Sequence, residues 1–304
     1  MGDPLLHRVP PRERGVSGAM RRLVLLAALS AAQSAALAAP AAARPLDDVV
    51  ASGTLRVAVY RENAPFSDDG AAGPAGIEVD LARRIAERLK VALDLRLVEA
   101  GESVDGDFRL NLWRGDLAGS ALADLMLHVP TDRQLALRNE QVFFTVPYCE
   151  QRVAFAYRRD RLEAFDSLAA SEANPVAVEG TSAADTLLML AEGGQLRAHI
   201  RHFRSFAAAA TAFLAGEAPV LGGTRAAIEG ALRAAGPKAE GVAVTELSVP
   251  GPVRTRWEIG AAVRQDSRDL AYAVGDALAA LAASGEMQAL FARHGVTFTP
   301  PSGD

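Results

Sequence analysis

At 304 residues, the chain is long enough for one large domain or two modest ones. Hydrophobic residues make up 50% and charged residues 23%, an ordinary globular balance that excludes disorder, collagen and a bare coiled coil. A formal net charge of −5 argues against a dedicated nucleic-acid binder, and the lone cysteine, Cys149, excludes an intramolecular disulfide and zinc sites built from cysteine pairs.

The first element is an address label. Arg21 and Arg22 precede a short apolar run from Leu23 to about Ala32, and small residues follow. Ala36-Leu37-Ala38 and Ala41-Ala42-Ala43 both fit the small-x-small rule of signal peptidase. The apolar run is shorter than the roughly 20 residues a membrane-spanning helix needs. Residues 1–43 are therefore expected to be leader and signal peptide, with Met20 as the start, and the remainder to be exported to the periplasm.

Alternation in TLRVAVY (54–60) predicts a strand, followed by a loop rich in Gly, Pro and Asp. Ile77, Leu81, Ile85 and Leu89 recur every four residues, which predicts an amphipathic helix, and LDLRLVEA (93–100) predicts a second strand. DFRLNLWRG (107–115) reads as a short helix and ADLMLHV (123–129) as a third strand. The apolar run VFFTVPY (142–148) and the strand RVAFAYRR (152–159) come next. A new unit then begins: strand, Gly-Thr-Ser turn and helix in NPVAVEGTSAADTLLML, then helix, strand, turn and helix over 203–236. Strands at 242–247 and 257–265 lead into a long helix broken near Ser284-Gly285.

Two β-α-β series of this kind predict parallel sheets with crossover helices, an α/β fold. Pro147-Tyr148 and Pro250-Gly251-Pro252 punctuate the chain most sharply. If both are hinge crossings, residues 46–148 plus 253–304 form one lobe and 149–252 the other, with a ligand-binding cleft between them.

ASGTLRVAV, NAPFSDDG, GIEVDLARRIAERL, PTDRQLALRNEQVFFTVPY, VAVEGTSAADTL and the C-terminal WEIGAAVRQ…ALFARHG stand in an order that resembles the family 3 extracellular solute-binding proteins of ABC importers. The resemblance runs across nearly the whole of the chain after residue 43. It implies a two-lobe periplasmic-binding-protein fold of type II, with a two-strand hinge and an interlobe cleft. It further implies capture of a small polar, carboxylate-bearing solute by lobe closure, delivery to an ABC permease, no catalysis, no cofactor or metal, and a monomer.

On this resemblance Arg133 grips the ligand carboxylate through a bidentate guanidinium fork, with Thr131 donating a hydroxyl to the same group. The stretch before Arg133 is about three residues shorter than the family usually has. Asn63 stands near the place of an aromatic that stacks on the ligand, which leaves Phe66 as the aromatic of that loop. Thr181 and Ser182, after Gly180, open the second-lobe helix, where backbone N–H groups favour an anion or a plain N-cap. His128 ends a cleft-facing strand and is a further contact. Gly222-Gly223 occupy the place where amino-acid receptors usually carry an acid for the ligand ammonium, which favours a ligand with carboxylate but no ammonium. His199 and His202, three apart, are candidates for one helix face.

Two other functions compete. DFRLNLWRG and ADLMLHVP also resemble solute-binding-like accessory proteins of periplasmic quinoprotein (methanol-type) dehydrogenases, whose partner would be the dehydrogenase. An enzyme on the same scaffold, such as a periplasmic dehydratase, needs a cleft acid or base with a shifted pKa, for which Glu62, Glu179 and Glu258 are the candidates.

Overall fold

The computed structural model describes residues 43–249 and 253–303. The expected leader and signal peptide lie outside the described residues. No helix among those described is long and apolar enough to cross a membrane.

Helix α1 (Leu46–Ser52) leads into β1 (Thr54–Tyr60). The segment after β1, expected to be a loop, contains a small hairpin, β2 (Asp68–Gly70) and β3 (Gly73–Ala75). Helix α2 (Ile77–Leu89) follows at once. Its predicted face holds: Ile77, Leu81 and Ile85 are fully buried, and Leu89 packs against the same core. Burying each such side chain contributes about 1.5–3 kcal/mol. Gly76 before it adopts φ 130°, and a Cβ there would stand 2.3 Å from the Phe66 carbonyl oxygen, so only glycine lets the chain turn here.

Strand β4 (Ala92–Val98) precedes α3 (Val104–Phe108), which a π turn extends through Trp113. Strand β5 (Leu125–Pro130), helix α4 (Arg133–Arg138) and β6 (Val142–Phe144) complete the first part of the chain. The long strand β7 (Cys149–Arg158) then opens the second series: β8 (Val176–Glu179), α5 (Ala183–Leu190), β9 (Ile200–Phe203), α6 (Phe206–Leu214), β10 (Val220–Thr224), α7 (Arg225–Ala235) and β11 (Val242–Thr245). Strand β12 (Arg256–Arg264) and helices α8 (Arg268–Ala283) and α9 (Glu286–Arg293) return to the first part.

The strands order as β4-β1-β5-β12-β7-β10-β8-β9, with β6 also paired to β12 and β11 to β7. β4, β1 and β5 are parallel, as are β10, β8 and β9. Between these two parallel sets stand β12 and β7, antiparallel to each other and registered Cys149 to Ile259 through Arg152 to Arg256. The hydrophobic cores divide the same way. One gathers β1, α2, β5, the end of β12 and the C-terminal helices, and others gather β7, β8, α5, α6 and β10. Trp257, on the shared ladder, packs against both sets.

One expected pairing is corrected. His202 lies in β9 rather than on a helix with His199, because the chain leaves its last 3-10 turn at His199. His202 Nε2 instead sits 2.9 Å from Asp185 Oδ1. Among the described residues no cluster of three or more His, Cys, Asp or Glu could hold a metal ion.

Candidate functional site

The ladder of β7 and β12 is the natural place to look, because it joins the two parallel sets of strands. Strand side chains alternate in direction. Glu150 and Arg152 therefore share a face with their partners Glu258 and Arg256, while Cys149 and Trp257 turn into the cores.

On the polar face lies a cavity of about 450 Å³, lined by the end of β5 (Pro130, Thr131 and Asp132), Glu150, residues 253–258 and Ser302. Its charges are mixed. Asp132 caps α4 through the Gln134 and Leu135 N–H groups and pairs with Arg254 at 2.6 Å. The Leu135 N–H first, and then the Arg254 guanidinium, hold the Asp132 carboxyl below its ordinary range. Glu150 takes the Arg152 Nε–H at 2.6 Å, and Glu258 Oε1 accepts the Gly303 N–H at 2.9 Å. Arg256 has no carboxylate within ion-pair distance among the described residues, and it is exposed at the cavity wall. It is the guanidinium that a ligand carboxylate can take without displacing an internal partner.

Beside this cavity, a chain of charged groups ties the second sheet to the C-terminal segment. Arg225 binds Glu229 and Glu246, each at 2.8 Å. Arg152 reaches the other Glu246 oxygen at 3.3 Å. Glu229 in turn accepts the Thr297 N–H at 2.7 Å and its hydroxyl at 3.1 Å. The void among Phe66, Arg152, Arg225 and Thr297 is only about 10 Å³, room for one water and no solute.

Of the residues expected to bind ligand, the structure brings Asn63, Phe66 and His128 together, while Thr131 and Arg133 line two different cavities. Thr131 lines the hinge cavity and donates its N–H to the Glu258 carbonyl at 3.0 Å. Arg133, the first residue of α4, is exposed and lines a different groove, beside Phe143, Phe144 and Arg268. Phe66 is 3% exposed, with its ring edge-on to His128 at 4.7 Å and to Phe291 at 6.2 Å. Asn63 closes a tight loop, bridging to Ser67, with its Nδ2 buried.

His128 adopts φ 61° and its Nδ1 sits 2.6 Å from Glu78 Oε1. The Tyr148 hydroxyl donates to that same oxygen and accepts the His128 N–H at 3.2 Å. Burial, and then the Glu78 charge, push the Tyr148 phenol far above its ordinary pKa, so it stays a donor. This cluster joins α2, β5 and the start of β7.

Ser182 is the N-cap of α5, accepting the Asp185 N–H at 3.2 Å. Asp185 reaches back to the Thr181 N–H at 2.8 Å, so a carboxylate of the chain itself already occupies that helix end. Gly222 and Gly223 also acquire a packing reason. A Cβ on Gly223 would stand 2.4 Å from the Phe206 ring, and one on Gly222 would stand 3.0 Å from Val178. Among the three candidate acids, burial raises the Glu179 carboxyl above its ordinary value, yet it lines none of the cavities described here.

Arg152, Arg225, Arg254, Arg256, Glu150 and Glu246 were missed in the sequence. A signal existed: charges alternate in CEQR (149–152) and RWE (256–258), a pattern that does not suit strands buried on both faces.

Neither a protein-family model nor a curated protein matches the sequence. Solved structures do. An ancestral cationic amino acid solute-binding protein superposes with a TM-score of 0.65 at 20% identity, covering 82% of this chain and 99% of its own. A Streptococcus pneumoniae amino acid ABC transporter substrate-binding protein, bound to L-arginine, superposes with a TM-score of 0.59 at 21% identity, covering 84% and 99%. The L-cysteine solute receptor of Neisseria gonorrhoeae gives a TM-score of 0.57 at 18% identity, covering 83% and 93%. The chain therefore has the two-lobe α/β fold of periplasmic solute-binding proteins.

Proposed function

We propose that the chain is a periplasmic receptor that captures a small polar, carboxylate-bearing solute by closure of two lobes and delivers it to an ABC permease. Residues 46–148 plus 253–304 form one lobe and 149–252 the other. The observation that carries this reading is the β7–β12 ladder. Two antiparallel strands carry the sheet hydrogen bonding between the two parallel sets, which suits a hinge. A fold shared with amino-acid-binding proteins supports it. Fold by itself does not set function, so the site has to carry the ligand class.

The cavity on the polar face of the ladder seats the solute. Arg256 takes its carboxylate and Thr131 lends a hydroxyl, while Glu150 and Glu258 offer acceptors to any donor the solute bears. This places the anchor on the hinge crossing rather than on Arg133.

A thermal-shift screen of amino acids, keto acids and dicarboxylates tests the reading. At a concentration 100 times its Kd, a true ligand stabilises by about 2.7 kcal/mol. Arg256→Ala should remove the shift, and Arg133→Ala should keep it. Loss with Arg133→Ala alone would return the anchor to α4. No saturating shift with any compound would sink the receptor reading.

A further inference from the structure

A groove runs along the outer edge of β6, away from the hinge cavity, and we propose that it receives an extended acidic segment of a partner protein as an added β-strand. The proposal does not depend on the solute reading.

β6 pairs only with β12, Phe144 opposite Ala262 and Val142 opposite Arg264. The Thr145 N–H donates to the Ala261 carbonyl, and the Gln141 carbonyl accepts the Gln265 N–H. Backbone polar groups alternate in direction along a strand. The Phe144 N–H and C=O therefore point outward, away from β12. Natural sheet edges are blunted by shortness, Lys, Pro or a bulge, and β6 is short, so a single residue, Phe144, offers the open backbone pair. Val142-Phe143-Phe144 carries no Lys, Pro or bulge.

The groove itself has a volume of about 430 Å³. Ala136 and Leu137 of α4 form one wall, and Gln265 and Arg268 form the other. Large apolar side chains stand exposed at it: Leu137 at 61% in the lining, and Tyr272 at 62% beside Phe143. The Phe143 ring meets Tyr272 edge-on at 5.7 Å.

Charge gives the class of occupant. The Arg268 guanidinium lies 5.1 Å from the Phe143 ring centroid, and Arg133 stands across the groove. Neither has a carboxylate within ion-pair distance among the described residues. Glu140 is the single acid lining the groove, so the lining is net positive on a chain whose formal charge is −5. A strand alternating acidic and apolar residues can pair with the Phe144 edge, set its carboxylates against Arg133 and Arg268, and cover Leu137 and Tyr272 with its other face. A second copy of this chain would bring two pairs of arginines together and fits less well.

The probe is a fluorescein-labelled peptide of about eight residues alternating Glu and Val, read by anisotropy against the full chain. Saturable binding is expected with a Kd of about 10–100 μM, weakening as salt is raised. Arg268→Glu should weaken it by about tenfold, and so should Leu137→Asp, a fully surface-placed change with little cost to folding. A peptide alternating Lys and Val should not bind. The proposal is overturned by absence of saturable binding, by equal binding of the Lys peptide, or by both variants binding as the parent does with unchanged circular dichroism. Light scattering that shows a dimer abolished by Arg268→Glu would also overturn it, in favour of self-association.

Discussion

The Asp124 carboxylate, 0% exposed, is held by Arg44: Oδ2 meets the guanidinium at 2.6 Å, and Oδ1 takes the Nε–H at 3.0 Å and the backbone N–H at 3.3 Å. It also accepts the Arg56 N–H of β1 at 2.9 Å. The bond to Asp124 lifts the Arg44 guanidinium above its ordinary pKa, so Arg44 stays charged. One residue at the start of the described chain thus neutralises a carboxylate in the middle of the first sheet. Arg44→Ala should cost about 3–5 kcal/mol, because it leaves a buried charge without its partner. Urea denaturation of the two proteins measures this. The double change Arg44→Ala with Asp124→Ala should recover part of the loss.

Asp132 gives a pH-dependent contribution of known sign. Its folded pKa lies below the ordinary carboxylate value, held there by the Leu135 N–H and by Arg254. The stabilisation is therefore complete at neutral pH and fades as pH falls through and below the ordinary carboxylate range. Asp132→Ala should lower stability by about 1 kcal/mol at pH 7, the usual worth of an N-cap. The difference from the parent should shrink on acidification, as read in melting temperatures between neutral and acid pH.

Cys149 should be chemically silent while the protein is folded. It is 1% exposed at the start of β7, and burial pushes its thiol pKa far up, so almost no thiolate forms near neutrality. A colourimetric disulfide reagent should label no thiol in the native protein and one in urea. Rapid native labelling would show that this end of the ladder opens.

Gly223→Asp places an acid where the sequence resemblance expects one. The new side chain would run into the Phe206 ring. The expected result is a loss of about 1–3 kcal/mol, the usual cost of overpacking, without gain of affinity for α-amino acids. Denaturation and the same thermal-shift screen would report both.

The parts of the fold legible in the sequence were those written in local periodicity. Ile77, Leu81 and Ile85 announce α2 because four-residue spacing has one structural meaning, and Ser284-Gly285 marks the break between α8 and α9 for a similar local reason. The hairpin at 68–75 escaped because its strands are three residues each and carry Asp, Gly and Pro. The site was harder to read. Arg256 faces Arg152 only through a ladder register set across about a hundred residues of chain, and no local pattern encodes that register. Gly223 reads as a missing acid until the Phe206 ring is seen above it. Arg133 resembles an anchor by its neighbours in sequence, while its place at the start of α4, capped by Asp132 and beside the β6 groove, is visible only in the fold.

The unbroken course of β7 limits how this molecule can work. The same ten-residue strand is hydrogen-bonded to β12 at its beginning and to β10 and β11 at its end. On the proposed closure, a swing of one half against the other would be taken up in this strand where the two anchorages meet, at Arg152–Val153. Arg152, on the near side of that junction, is held to Glu150 of the same strand at 2.6 Å. On the proposed reading the pivot would then lie beside the polar floor that seats the solute, so occupancy of that floor and the angle between the halves would be read by the same short stretch of β7.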